Sequence, residues 1–481
     1  MFKLKNRIND SFFDDIYGKK LDKYQRKAII NNDKYLLVVA GAGSGKTLTI
    51  IGKVKYLIEK LHFKEEEILC LSFTNETVDN LKNKLNYSVD VFTFHKLSLN
   101  ILKDHNFNYK IARDDLLEYI VNEFFLIDDL DNKSLILEYF DNDYSYNSLE
   151  LLKMNIISMI KMIKCNNLHV EKLKKIKRKI VFGKDKIFYL LVLKIFKIYE
   201  EELLSENKID FDDMIIYAKE SIKEKGINKK YKYIIIDEYQ DISQIRFNLI
   251  KEMIDKLDCK LMCVGDDYQA IYGFSGSNVS LFLDFFKYFK DGTRLDIKNT
   301  YRNSYELIKI SLRFIKRNPF QLRKNIHATF LYKNPVVLVY YDDFLKVYND
   351  LLNYLYLEDN KKVLVLARYN KDLEEIKKFS HQGMDIRYLT VHMAKGLEED
   401  NVILIRFSND YLGFPSKIEN NRLLSLVSTN EEVPFAEERR LFYVALTRCR
   451  RRIFILVPRN NPSIFLKEIK SSCVELLLKG K

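Results

Sequence analysis

The sequence predicts an α/β fold of parallel sheets covered by helices on both faces, interrupted by an all-helical insertion. Three observations carry that reading. Apolar runs of strand length at Tyr35–Val39, Ile68–Phe73, Tyr233–Ile236, Lys260–Val264, Val363–Leu366 and Val402–Ile405 alternate with segments of helical periodicity. Such uninterrupted apolar strands, separated by helices, are buried on both faces in parallel sheets. A glycine-rich loop links the first strand to the helix after it. Residues 101–205 hold no proline and one glycine (Gly183), with Leu/Ile/Lys-rich helical spacing, whereas all six prolines lie beyond residue 318.

In chain order, the first strand runs into Ala40-Gly41-Ala42-Gly43-Ser44-Gly45-Lys46-Thr47, and Leu48, Ile51, Val54, Ile58 and Leu61 then mark a helix. Three of the chain's 15 glycines fall in this loop. Strand, glycine loop with Lys-Thr, and helix together form a P-loop. Its backbone N–H groups converge on phosphates, and the helix N-terminus adds roughly half a positive charge. Lys46 is placed to reach the β- and γ-phosphates and Thr47 to ligate Mg²⁺, so ATP and Mg²⁺ are the expected ligands of residues 40–47.

The strand Tyr233–Ile236 ends in Asp237-Glu238-Tyr239-Gln240-Asp241. Ligands collect outside the carboxyl ends of strands in open parallel sheets. Asp237 suits the Mg²⁺ shell, and Glu238 suits polarisation of an attacking water. Lysine is the default cation of this chain, so Arg302 and Arg448 stand out as positions that need a planar fork. If a second half of the chain carries them, they reach the γ-phosphate when the cleft closes, which couples ATP binding to closure.

Composition sets outer bounds. With 481 residues, 47% of them hydrophobic, the chain can bury the cores of two to four compact units. A net charge of +13 suits a polyanionic partner. There is no apolar stretch approaching ~18 residues and no apolar core behind Met1. The six cysteines form no Cys-x-x-Cys pair. These features predict a reduced, cytoplasmic protein without membrane partners or structural zinc.

Asp237–Asp241, followed by Val264-Gly265-Asp266-Asp267-Tyr268-Gln269-Ala270-Ile271-Tyr272-Gly273-Phe274-Ser275-Gly276, resembles superfamily 1 helicases of the UvrD/Rep type, with wording nearest the helicase IV-like members. The resemblance extends over most of the chain outside the insertion. Leu21–Gln25 is similar to the Q motif, and Phe73-Thr74-Asn75 and Phe92-Thr93-Phe94-His95 to the two early DNA-contact motifs. Asn299–Arg302, Thr390–Glu398 and Glu437–Arg448 are similar to the fourth, fifth and sixth motifs.

The resemblance implies two RecA-like lobes. Lobe 1A takes residues 1–100 and 206–293, a helical 1B insertion residues 101–205, and lobe 2A residues 294–481. Only residues 370–388 separate Tyr369 from Leu389, too few for the 2B domain that many relatives insert there. No N-terminal extension and no nuclease domain are expected either.

The implied activity is ATP-dependent translocation on single-stranded DNA, 3′ to 5′, with unwinding at single-/double-strand junctions and a place in DNA repair. It further implies that Gln25 reads the adenine, Tyr301 stacks on it, Glu398 contacts the ribose and Gln269 senses the γ-phosphate. Thr74, Asn75, Thr93, Phe94, His95, Tyr272, Phe274 and His392 become strand contacts. Phe94 sits in an apolar run and fits a core position as well. Ser275 stands where many relatives carry arginine, and Thr300 where asparagine is common. Two basic runs, Glu171–Lys179 and Arg450–Arg452, fit either a strand track or a solvated face. A motor subunit serving a partner nuclease in repair or anti-phage defence, a non-motor nucleotide-gated binding module, and an RNA track all stay open at this point.

Overall fold

The computed structural model describes residues 10–127, 129–168, 173, 180, 183–379, 381, 383–417 and 433–478. Two six-stranded sheets dominate it. The first contains β1 (Tyr35–Ala40), β2 (Ile68–Ser72), β3 (Asp90–Thr93), β4 (Tyr233–Ile236), β5 (Lys260–Gly265) and β6 (Thr293–Ile297) in the order β3-β2-β4-β5-β1-β6. The second contains β7 (Val336–Tyr341), β8 (Lys362–Ala367), β9 (Asp385–Thr390), β10 (Glu399–Leu404), β11 (Cys449–Pro458) and β12 (Val474–Glu475) in the order β9-β8-β10-β11-β7-β12. Every pairing in both sheets is parallel. This is the α/β architecture of two RecA-like lobes.

The apolar runs fold this way because both faces of each strand meet protein. Leu37 and Val39, Leu69 and Leu71, and Ile234 and Ile236 enter one core of the first sheet. Their neighbours Leu36 and Val38, Ile68 and Cys70, and Tyr233 and Ile235 enter the core on the opposite face. The second sheet repeats the pattern, with Leu364 and Leu366 on one side and Val363 and Val365 on the other. Side chains alternate at a period of two, so a strand buried on both faces has no polar phase.

Between the helices Phe94–Asp104 and Phe211–Lys225, the helices Leu116–Leu126, Leu130–Tyr139, Tyr146–Cys165 and Gly183–Ser205 pack into a separate apolar cluster. Its base is polar. Lys164 is buried and lies 2.9 Å from Glu200, 2.6 Å from Asp210 and 2.8 Å from Asp213. The adjoining Cys165 thiol donates to Asp212 at 3.3 Å and to the Ser275 carbonyl at 3.8 Å. The insertion is thereby tied to the turn that carries Phe274.

One boundary moves. The sequence reading ends lobe 1A at residue 293, but Thr293–Ile297 pairs with Leu36–Ala40 and closes the first sheet as β6. The polar Arg294 and Asp296 within that segment hide the strand, because an edge position needs only one buried face. Of the basic run Glu171–Lys179, only Leu173 falls within the described residues, where it is buried. No helix among the described residues is long and apolar enough to cross a membrane.

Candidate nucleotide site and strand-contact face

Adjacent strands β4, β5 and β1 deliver three chemical groups to one carboxyl edge. β1 opens into the P-loop, with Gly43 and Gly45 at φ +69° and +78°, a left-handed conformation that glycine adopts without strain. The helix Lys46–Glu59 starts directly after Gly45 with no side-chain cap, so its first N–H groups stay available to an anion. The Ser44 hydroxyl in the same loop is buried without a partner. A buried, unpaired hydroxyl is costly unless a ligand satisfies it. The loop chemistry fits a polyphosphate.

β4 ends at Asp237 and Glu238. Both carboxylate oxygens of Glu238 lie 2.8 Å from Lys46 Nζ. Burial opposes the Glu238 charge, yet the Lys46 and Lys395 ammonium groups outweigh it and hold the carboxyl down at about 2. Burial and the Glu238 charge instead push Asp237 up to about 7. One Asp237 oxygen accepts from the Glu238 N–H at 2.9 Å, and among the described residues no hydrogen bond reaches the other. A carboxylate oxygen and a threonine hydroxyl are hard donors of the kind a divalent cation takes, so the chemistry of Asp237 and Thr47 fits Mg²⁺.

From Glu238 a chain of hydrogen bonds crosses to the second sheet. Gln240 Nε2 donates to Glu238 at 2.6 Å, and Gln240 Oε1 accepts from the Asp266 N–H at 2.8 Å. Gln269 Nε2 donates to Asp266 at 2.5 Å, and Arg448 Nη2 donates to Gln269 Oε1 at 3.2 Å. Arg448 is fully buried, and its other donors reach the Val444 and Leu397 carbonyls. Lys395 adds a second crossing, bonding Asp241 and the Gln269 carbonyl, the latter at 2.8 Å.

The segment after β6 is stitched to the P-loop. Thr300 Oγ1 donates to the Ala42 carbonyl at 2.7 Å and the Tyr301 N–H to the Gly43 carbonyl at 3.0 Å. Thr300 thus anchors the fourth motif through the loop backbone. Arg302 pairs with Glu398, which also lies 3.3 Å from Arg450. Gln25 is buried; its amide donates to the Ser44 carbonyl at 3.1 Å, and its oxygen accepts from the Asp22 N–H. Asp22 caps that helix and accepts from Asn299 at 2.9 Å and the Tyr301 hydroxyl at 2.8 Å. The half-exposed Tyr301 ring is therefore held beside the loop.

A Cβ at Gly43 would collide with the Cβ of Arg302 and with Thr300 Oγ1, besides forcing a left-handed residue. Gly43→Ala is expected to lower kcat/KM for ATP by ~10²-fold, the size of a roughly 1 Å misplacement of reacting groups. Steady-state ATPase titrations check it.

The strand-contact residues divide. Phe274 is exposed, with its ring 5.2 Å from His392 and 6.2 Å from Tyr272, and the Tyr272 hydroxyl donates to the His392 carbonyl at 3.2 Å. These three form one patch where the two sheets meet. Thr74 and Asn75 are exposed at the start of the helix Asn75–Lys84, which Thr74 caps through Thr77 N at 3.2 Å. Thr93 is buried and caps the next helix through Lys96 N, so its hydroxyl is already engaged. His95 packs edge-on against Phe211 at 5.3 Å. Phe94 is not a surface contact: it is 1% exposed, within the core and 5.2 Å from Phe73. The apolar run around it seats the ring under the sheet. Arg450 and Arg451 pair with Asp400, and Arg452 with Glu358, so that run is a paired face.

Residues 21–290 match the UvrD/REP helicase N-terminal domain. That is more than half of the chain. It belongs to the UvrD/REP helicase family. Similar relatives include DNA helicase IV of Escherichia coli (strain K12), 28% identical, with 96% of this chain aligned to 71% of that protein. A probable DNA helicase II homolog of Mycoplasma capricolum is 30% identical over 64% of this chain and 42% of its own length. An ATP-dependent DNA helicase Rep of Buchnera aphidicola (subsp. Baizongia pistaciae) is 26% identical over 66% of this chain and 46% of its own length. The chain thus aligns with less than half of the helicase II homolog and Rep.

Within this UvrD/REP helicase, sequence reasoning missed the connectors Asp22, Gln240 and Lys395. Asp22 had a readable signal, because Asp22 and Gln25 form a capping box. Ser275 closes its own turn by donating to the Tyr272 carbonyl at 2.9 Å.

Proposed function

We propose that this protein is an ATP-driven translocase on single-stranded DNA that unwinds duplexes at junctions, moving 3′ to 5′. The carrying observation is the continuous hydrogen-bonded chain from Lys46 and Glu238 on one sheet to Arg448 on the other. A group that senses the γ-phosphate on one side is thereby wired to a guanidinium on the other. In this reading, residues 40–47 cradle the triphosphate of ATP, and Thr47 and Asp237 hold Mg²⁺, which neutralises phosphate charge when bound. Glu238 orients the attacking water, Gln269 registers the γ-phosphate, and Arg302 and Arg448 stabilise the charge that develops on it. Gln25 and Tyr301 take the adenine, with Glu398 at the ribose.

Lobe 1A, the helical 1B insertion and lobe 2A are the working units, with the 1A/2A boundary placed after β6. The strand runs over the carboxyl ends of β2 and β3 to the Tyr272–Phe274–His392 patch, where bases stack at ~1–3 kcal/mol each. The test is the ATPase rate with single-stranded DNA, duplex DNA and RNA across a salt series. Single-stranded DNA is expected to stimulate most, with an effect that fades steeply as salt rises. A rate indifferent to every strand overturns the translocase reading.

A further inference from the structure

The first sheet's carboxyl edge has two halves: β4, β5 and β1 serve the nucleotide, while β3 and β2 carry the early strand-contact motifs. One cation bridges those motifs. Arg246, in the helix Gln244–Leu257 that follows β4, sets its guanidinium carbon 5.4 Å from the Phe73 ring and 5.9 Å from the Phe94 ring. Phe73 directly precedes Thr74 and Asn75, and Phe94 lies between Thr93 and His95. Aromatic faces hold a guanidinium by its charge and leave its in-plane N–H donors free for a partner. Among the described residues no carboxylate lies within ion-pair distance of Arg246, and no hydrogen bond engages its donors. Burial pushes the Asp212 carboxyl up, and Arg246 opposes that rise through space only.

Arg302, Arg368, Arg387, Arg439 and Arg450 pair with carboxylates, and Arg448 and Arg313 spend their donors on carbonyl, amide and hydroxyl oxygens, whereas the half-buried Arg246 has neither kind of partner among the described residues. We infer that Arg246 binds a backbone phosphate of the single strand crossing the ends of β2 and β3, with Phe73 and Phe94 as its pedestal. Phe94 then serves the strand without touching it. The neighbouring His95 does not supply this charge: burial and Arg246 itself push its ring down to about 4, so it is neutral at pH 7. The inference rests on the strand-translocase reading above.

The test measures binding of a labelled oligothymidylate by fluorescence anisotropy over a salt series. The unsubstituted protein is compared with Arg246→Met and Arg246→Lys. Methionine keeps an unbranched stem over the rings without charge, and thermal unfolding selects a temperature at which all three are folded. Each phosphate contact on a single strand contributes ~0.7 to the slope of log affinity against log salt. Arg246→Met is expected to lose about that much slope, to bind several-fold more weakly at low salt and to match the parent at high salt. Arg246→Lys is expected to keep most of the slope. A steep parental slope that Arg246→Met leaves unchanged overturns this phosphate site alone. A parent with no salt-dependent strand binding overturns the translocase reading with it.

Discussion

Replacing Arg448 by alanine is expected to lower kcat for strand-stimulated ATP hydrolysis by ~10³–10⁵-fold, the range over which an arginine finger acts. Its guanidinium is fully buried and spends its donors on Val444, Leu397 and Gln269. Burial, with Arg302 nearby, pushes its pKa down to about 9, so it stays charged at pH 7. In the proposed reading, the γ-phosphate brings negative charge to this pair of guanidinium groups. Arg448→Lys keeps a charge but not the fork that bonds a carbonyl and Gln269 together, so it is expected to recover only part of the rate. Single-turnover hydrolysis at saturating ATP reads the effect. Thermal unfolding runs beside it, because alanine also strands buried carbonyl groups. A folded Arg448→Ala protein within tenfold of the parental rate removes Arg448 from the catalytic set.

Lys46→Ala is expected to reduce hydrolysis by at least ~10³-fold, at the upper end for loss of one preorganised charge at a reacting group. Burial disfavours the Lys46 charge, but Glu238, Asp237 and Asp266 overcome that and raise its pKa. Without the ammonium, Glu238 and Asp237 face each other and the Glu238 carboxyl rises from its depressed value. In the proposed reading, the groups that position water and metal then lose their charge pattern along with the phosphate contact. Affinity for a single strand is expected to stay within about twofold, since Lys46 follows β1 whereas the strand face follows β2 and β3 (a contact on one edge, not one shared group). Strand binding lost together with hydrolysis would show that Lys46 supports the fold instead.

How far the sequence reached differs by residue. The P-loop was legible because its function needs local geometry: a strand, left-handed glycines at 43 and 45, and a helix that starts on Lys46. Asp237 and Glu238 were legible because strand ends in parallel sheets point one way. Phe94 was ambiguous, since a ring beside Thr93 and His95 reads alike as platform or core until its neighbours are known. β6 was misplaced because an edge strand with Arg294 and Asp296 carries no continuous apolar signal.

By itself, the sequence determined the two-sheet α/β class, the helical insertion and the chemical inventory of the nucleotide cleft, all of which follow from period, glycine placement and residue type along short stretches. Only the tertiary structure decided which inventory members touch. Strand order set β5 between β4 and β1, which put Gln240, Asp266 and Gln269 on the path to Arg448. Long-range packing likewise laid Arg246 across Phe73 and Phe94. A contact such as that between Gln269 and Arg448, 179 positions apart, depends on how sheets stack and order, and local spacing carries no record of that.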